Sequence, residues 1–364
     1  MKNTGKDKLR ILGILTHFGD KRKGMPAVDW WRVKNPLDQL KKHGHFVKYV
    51  KKEVIGNEEF LEFEDKNYDI IFSSYVDDPK TYAYIRAVCE MYGCRHIMDI
   101  DDNLLDIDEM NPARVHYHPQ GKPFRTVMTC VSDVDILTVT TPCLKKTYAP
   151  MRMGKPTVVL PNYINPDVYK YDKKLVPDNG KEVIINYFGS ATHLNDMIKT
   201  PFIWALRRVL KKYPFVKFAC MGTLFEELYN YLPEKQIKPL EGARHFPLWI
   251  AKWKRMPGDI GVAPLYPSIF NRSKSSIKYY EFSLREIPGV YAFWEPYLWV
   301  VKEGATGFFA QDEEEWVERL SLLIEDKKTR LRVANDAREH VLNNYTIQDH
   351  WKKWEKLFLE ARKK

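Results

Sequence analysis

Ser273, Lys274, Ser275, Ser276 and Lys278 crowd the entrance of a helical pattern that begins near Ile277. Hydroxyls able to cap orphan backbone N–H groups, ammonium groups beside them and the positive end of a helix dipole together suit an anion such as a diphosphate. An ordinary capped surface helix with two solvated lysines would use the same residues. Just upstream, residues 260–265 form a short apolar run broken by Pro264 and Pro267. That pattern predicts a parallel strand, buried on both faces, that ends at the polar loop.

Two further groups carry chemistry. M-D-I-D-D-N-L-L-D-I-D-E, residues 98–109, follows a strand predicted over residues 95–100. Asp101 and Asp102 therefore fall at the carboxyl end of a parallel strand, where open α/β sheets bind ligands. Either carboxylate can hold or deprotonate a hydroxyl; a helix cap with solvated acids and a metal site are the other readings. D-K-R-K-G-M-P-A-V-D-W-W, residues 20–31, is the loop after the first predicted strand and joins Lys21, Arg22 and Lys23 to Trp30 and Trp31. Cations neutralise phosphates, and an aromatic ring can stack on or replace a base drawn out of a duplex. The tryptophans equally suit the core of the first helix.

These residues need a frame, and the apolar pattern supplies it. Strands are predicted over residues 9–16, 45–50, 68–75, 95–100 and 134–140, with helices over 30–43, 79–92 and 124–132 between them. Such β-α-β crossovers favour a parallel sheet. Residues 160–182 then read as a linker. A second series follows, with strands at 183–188, 216–221, 260–265 and from 288, and a helix at 202–212. The tail, residues 326–344 and 347–364, is helical, with Trp351, Trp354, Leu357 and Phe358 on one face. The economical architecture is α/β, two doubly wound domains facing each other across a cleft.

Composition narrows the class. At 364 residues and 44% hydrophobic, the chain is long enough for two cores and too apolar for disorder. The net charge of +10 is unevenly spread: residues 1–55 hold 14 Lys/Arg against five Asp/Glu. A polyanionic partner explains that, as does a merely solubilising surface. No apolar run reaches the length of a spanning helix, and residues 9–16 are too short for a signal segment. A soluble, cytoplasmic protein is expected. The five cysteines are odd in number and lie at no zinc-ligand spacing, which favours buried thiols.

In order along the chain, F-G-S-A-T-H-L-N-D (188–196), D-I-G-V-A-P-L (259–265), F-N-R-S-K-S-S-I-K-Y-Y-E (270–281), I-P-G-V (287–290) and E-G-A-T-G-F-F (303–309) resemble the donor-binding half of family-4-type GT-B glycosyltransferases. T-V-T-T-P-C-L (138–144) and L-P-N-Y-I-N-P (160–166) resemble that family's N-terminal half and linker. The resemblance implies the GT-B fold, with an acceptor-binding Rossmann-like domain over residues 1–168. It implies a nucleotide-sugar domain over 169–340 and a last helix, 341–364, crossing back to the first domain. UDP-glucose is the expected donor substrate, with no tightly bound cofactor and no essential divalent metal.

Residue by residue, Gly189 and Ser190 match the turn whose backbone N–H groups approach the phosphates, and Glu281 matches the ribose-binding glutamate. A carboxylate can accept both hydroxyls of a vicinal diol, although Glu281 could also be an exposed helix acid. Asn271, Ser275 and Ser276 complete the expected donor site. The chain departs from many relatives at Ser273, where they carry a second glutamate. Lys278, and next Lys274, then become the groups expected to neutralise the leaving diphosphate. His193 sits in the matched phosphate turn and is expected to touch donor or acceptor. Relatives mostly retain configuration, the leaving phosphate itself taking the acceptor proton.

The function expected is hexose transfer to a hydroxyl, foremost on a 5-hydroxymethylpyrimidine in DNA, as phages decorate theirs, in the host cytoplasm if a phage encodes the chain. One alternative is a transferase of lipid-linked or cell-surface glycans whose basic segment meets anionic membrane. The other is a non-catalytic sugar-nucleotide or nucleic-acid binding module, with Ser273 marking lost chemistry.

Overall fold

A computed structural model describes residues 8–15, 25–52, 55, 67–172, 180–222, 226–243 and 245–363. Lys21, Arg22 and Lys23 lie outside the described residues. Strands β1 (Arg10–Leu15), β2 (Phe46–Lys51), β3 (Ile70–Ser73), β4 (Arg95–Ile100), β5 (Ile136–Val139) and β6 (Thr157–Val159) form one six-stranded sheet in the order β2-β1-β3-β4-β5-β6. Strands β7 (Val183–Gly189), β8 (Val216–Gly222), β9 (Ile237–Glu241), β10 (Ile260–Ala263), β11 (Gly289–Ala292) and β12 (Phe308–Ala310) form a second, ordered β12-β11-β10-β7-β8-β9. Every strand pair in both sheets is parallel.

Helices cover both faces of such sheets, so the central strands read as unbroken apolar runs. Ile70–Ser73, Ile136–Val139 and Ile260–Ala263 are buried at every position. The strand order reverses between β1 and β3 in the first sheet and between β7 and β10 in the second. At such a reversal the loops diverge to opposite faces and leave a crevice at the carboxyl ends.

Three strands escape the apolar pattern. β6 and β12 have three residues each and β9 has five, and all three sit at or beside sheet edges. β9 even contains Pro239, which an edge strand tolerates because its free side needs no ladder bond. The first helix also begins earlier than residue 30. It runs from Ala27, widens into a π turn over Trp30–Lys34 and continues as α1 (Asn35–Lys42). Pro36 has no N–H to offer its ladder, and a locally widened turn just before it absorbs that interruption.

Helices α2 (Lys327–Asn344) and α3 (Lys352–Arg362) form the tail, and α3 returns to the first sheet. Its Trp354, Leu357, Phe358 and Ala361 share a core with Leu9, Ile11, Leu37, Phe72 and Ile97. Glu355 meets His45 at 2.9 Å and Arg362 donates to the Lys8 carbonyl at 3.0 Å. The chain thus passes between the sheets twice, and the two passages touch. Ile164 donates to the Tyr345 carbonyl and Ile347 to the Ile164 carbonyl, each at 2.9 Å, in a parallel bridge of Ile164 with Thr346.

Trp30 and Trp31 belong to an aromatic cluster that joins the two sheets' domains. Trp30 stacks on Phe246 with centroids 4.1 Å apart, and Tyr169 lies 5.8 Å from Trp30 and 5.6 Å from Trp31. All five cysteines are free thiols, four of them buried. Among the described residues no helix is long and apolar enough to cross a membrane.

Candidate functional site

A cavity of about 960 Å³ opens between the carboxyl ends of the two sheets. Its second-domain wall is made by the segments that follow β7, β8, β9 and β10. Gly189 and Gly222 end β7 and β8, Gly242 follows β9, and all three line the cavity. Gly222 has φ +114°, and a Cβ there would lie 2.1 Å from the Gly189 carbonyl oxygen. A Cβ on Gly242 would lie 2.5 Å from the Gly222 Cα. Only backbone without side chains packs this tightly, and it leaves a bare peptide surface for a ligand.

Helix α4 (Ile277–Leu284; chain order places it before α2) carries Lys278 and Glu281 three residues apart, hence on one face, toward the cavity. Glu281 is buried and takes hydrogen bonds from Tyr169 Oη at 2.8 Å and Trp249 Nε1 at 3.4 Å, both on Oε1. Oε2 is left for a ligand. Burial raises the Glu281 carboxyl to about 7, against the pull of Tyr169, Trp249 and Lys278. Burial and the neighbouring Lys274 lower Lys278 to about 8, while Asp196 and Glu281 oppose them. Lys274 also lines the cavity, with Nζ 3.9 Å from Asp196.

His193 follows the Gly189 turn. Its Nδ1 meets Asp196 Oδ2 at 2.6 Å. Asp196 is buried, yet Lys274 and His193 overcome the upward push of burial and hold its carboxyl down to about 2. Tyr266 N and Asn271 Nδ2 donate to its other oxygen at 2.8 and 2.6 Å. Burial and the two lysines push His193 down to about 3, so the ring is neutral. Lys274 Nζ also lies 3.3 Å from Nδ1, but the shorter contact to an ionised carboxylate places the proton on Nδ1 and leaves Nε2 as an acceptor.

The serines behave differently from the capping pattern. Ser276, at the N-cap of α4, makes no side-chain cap; its hydroxyl donates to the Pro296 carbonyl at 3.1 Å and lies outside the cavity. Ser273 is buried and donates to the Ile269 carbonyl at 3.0 Å. Ser275 does line the cavity, and its Oγ accepts from Asn162 of the linker at 2.9 Å. Each hydroxyl has found another partner, so the first N–H groups of the helix stay open to a ligand. Asn271 stands behind the wall, holding Asp196, and borders a separate small pocket.

On the first-domain side Asp101 and Asp102 follow β4 and line the cavity. The Tyr75 hydroxyl donates to Asp101 Oδ1 and accepts from the amides of Asp101 and Asp102 at 3.2 and 2.9 Å. Burial, then the charge of Asp102, raises the Asp101 carboxyl to about 7; burial also raises Asp102, against Lys274 across the cleft. Neither acid caps a helix, since the turn at Leu104–Asp106 is capped by Asn103. Among the described residues no group of His, Cys, Asp or Glu is arranged to hold a metal. Trp31 lines the cavity; Trp30 does not.

Tyr75, Tyr169, Trp249, Asp196, Gly222 and Gly242 belong to this site although sequence reasoning did not single them out. The glycines had a signal, each closing an apolar or edge strand in M-G-T and L-E-G-A. Tyr169 had none, because its bond to Glu281 spans 112 residues of sequence.

No protein-family model and no curated protein sequence matches the chain. Solved structures do. Sucrose-phosphate synthase from Thermosynechococcus elongatus superposes with a TM-score of 0.67 at 11% identity, over 97% of this chain and 99% of that one. A glycosyltransferase from Rickettsia africae gives 0.63 at 15%, over 97% and 98%. HepE of Anabaena, solved in complex with UDP-glucose, gives 0.62 at 13%, over 97% and 100%. With its two six-stranded parallel sheets facing across a cleft, this chain has the GT-B fold of those glycosyltransferases.

Proposed function

We propose that this chain is a nucleotide-sugar-dependent hexosyltransferase that moves glucose from UDP-glucose to a hydroxyl held by the first domain. The observation that carries the reading is the cavity in which Lys274, Lys278 and Glu281 meet Asp101 and Asp102 from the other sheet. The UDP-glucose in HepE, a protein of the same fold, supports the donor. In this reading residues 169–340 bind the donor, 1–168 the acceptor, and 341–364 tie back to the first domain. Glu281 accepts the ribose hydroxyls, and the backbone at Gly189 and Ser190, with Ser275, approaches the phosphates. Asn271 and Ser276 act one step removed, through Asp196 and the Pro296 loop.

In the transfer, the bond from the anomeric carbon to the diphosphate oxygen breaks and a bond to the acceptor oxygen forms on the same face. The acceptor proton passes to the leaving phosphate oxygen, and configuration is retained. At about 8, Lys278 is still mostly protonated at neutral pH, and with Lys274 it stabilises the charge growing on the leaving group. These lysines supply the positive charge that a divalent metal would otherwise bring. His193 accepts a sugar hydroxyl on Nε2. Replacing Lys278 by alanine is expected to lower kcat about 10²- to 10³-fold with far less change in UDP-glucose affinity. An unchanged kcat in steady-state kinetics would take this lysine out of the reaction.

The acceptor we assign is a 5-hydroxymethylpyrimidine in DNA, on the strength of the basic residues concentrated in the first 55 positions. A base inside a duplex must be extruded to reach such a cleft. Sugar nucleotides incubated with hydroxymethylated and unmodified DNA, read by nucleoside mass spectrometry, test it. One added hexose on the hydroxymethylated base alone is expected. Transfer to glycans with none to DNA would reject that acceptor and leave the donor reading standing.

A further inference from the structure

Among the described lining residues the lysines of the cavity stand on one wall. Lys274 and Lys278 belong to the second domain, beside Glu281 and with Glu241, whose carboxylate is taken by Lys252 at 2.6 Å. On the first-domain wall the charged side chains among the described lining residues are Asp101 and Asp102; His116 at the rim is bound to Asp77 at 2.9 Å, and partial burial and Lys52 push it below the usual histidine range. The rest of that wall is largely apolar or aromatic, including Val28, Trp31, Tyr75, Leu104, Ile107 and Tyr117. Tyr75 and Tyr117 lie with ring centroids 6.1 Å apart, and Tyr75 fixes Asp101 by Oδ1, leaving Oδ2 for a ligand.

From this segregation we infer that the acceptor group entering the cavity is an uncharged ring bearing a free hydroxyl, and that the Asp101–Asp102 pair excludes anionic rings from it. The inference rests on the donor reading and deepens it. A diphosphate belongs to the lysine wall; a second anion is repelled by the Asp101–Asp102 pair, most strongly at pH 8, past the value of about 7 to which burial and Asp102 raise Asp101. A neutral hydroxyl instead donates to a carboxylate, while flat ring faces lie against the aromatic side chains. A cavity of about 960 Å³ has room for a donor and one such ring together. The same chemistry is offered by a neutral pyranose and by an extruded hydroxymethylpyrimidine, whose phosphates stay outside the pocket.

The test uses the full chain and first measures UDP binding by calorimetry. Absence of binding there removes the donor reading, and with it this inference, before any acceptor is added. Given binding, transfer from UDP-glucose is measured with matched acceptors: phenyl β-glucoside against phenyl β-glucuronide, and 5-hydroxymethyl-2′-deoxycytidine against an analogue carrying a carboxylate on the pyrimidine. The neutral member of at least one pair is expected to be used, or to compete, at least about tenfold better than its anionic partner. Which pair responds identifies the source of the ring. Changing both acids, Asp101→Asn with Asp102→Asn, is expected to shrink that ratio toward one. Equal or better use of the anionic partners by the unaltered protein, or no effect of either neutral ring, overturns the inference, whether or not the double variant folds.

Discussion

Glu281 holds its proton up to about 7 because burial disfavours the ion. An acceptor of ribose hydroxyls must be ionised, so UDP affinity is expected to weaken as pH falls from 8 through about 7 toward 5. Glu281→Gln should bind UDP roughly thirtyfold more weakly at pH 8, an estimate of about 2 kcal/mol for the lost charge-assisted bonds, and that gap should close as pH falls toward 5, a comparison in which the titrations of Lys278 and of the phosphate cancel. Calorimetry on both proteins at several pH values checks this, and a gap that does not change with pH would end the ribose role. Stability moves the other way. The folded pKa lies above the unfolded one, so this acid costs nothing below about 4.5, and its cost grows until pH passes about 7. The glutamine variant should therefore be the more stable protein at pH 8, by on the order of 2 kcal/mol, and no more stable at pH 4. That Lys274, Lys278 and Glu281 line one cavity follows from their closeness in sequence, on one helix and its approach. The capping pattern misled at Ser276: a cap and a bond to the Pro296 carbonyl, far along the chain, look alike until the fold is known.

At the scale of elements, double burial made the central strands readable, since a strand covered on both faces is one continuous apolar run. β6, β9 and β12 were unreadable for the converse reason, being short and at or next to an edge. The strand ends matter most to the site. Gly222→Ala forces a side chain into a left-handed backbone and against the Gly189 carbonyl. The substitution should cost at least about 1–3 kcal/mol and part the ends of β7 and β8, weakening UDP binding beyond the loss of stability. Thermal unfolding and calorimetry together would show it; a variant as stable and as tight as the parent would mean that the close approach of these glycines is unimportant.

For the molecule as a whole, two β-α-β series announced two lobes, and the apolar face of the tail announced that it packs on something. Which lobe it packs on came from resemblance, and the aromatic cluster of Trp30, Trp31, Tyr169 and Phe246 between lobes was invisible, because its members are scattered over the sequence. Trp354 fills the first lobe's core from the far end of the chain. Trp354→Ala should cost about 3–5 kcal/mol and lower the unfolding midpoint of that lobe first, as amide exchange in residues 10–159 would reveal. Equal loss of protection in both lobes would mean that they unfold as one. The bonds of Ile164 to Tyr345 and Ile347 have a mechanical consequence. Two strands of chain pinned together can flex side by side, but a twist would have to shear those amides apart. Any opening between the lobes is then expected to be a swing about one axis, which brings the lysine and aspartate residues back into the same alignment on closing.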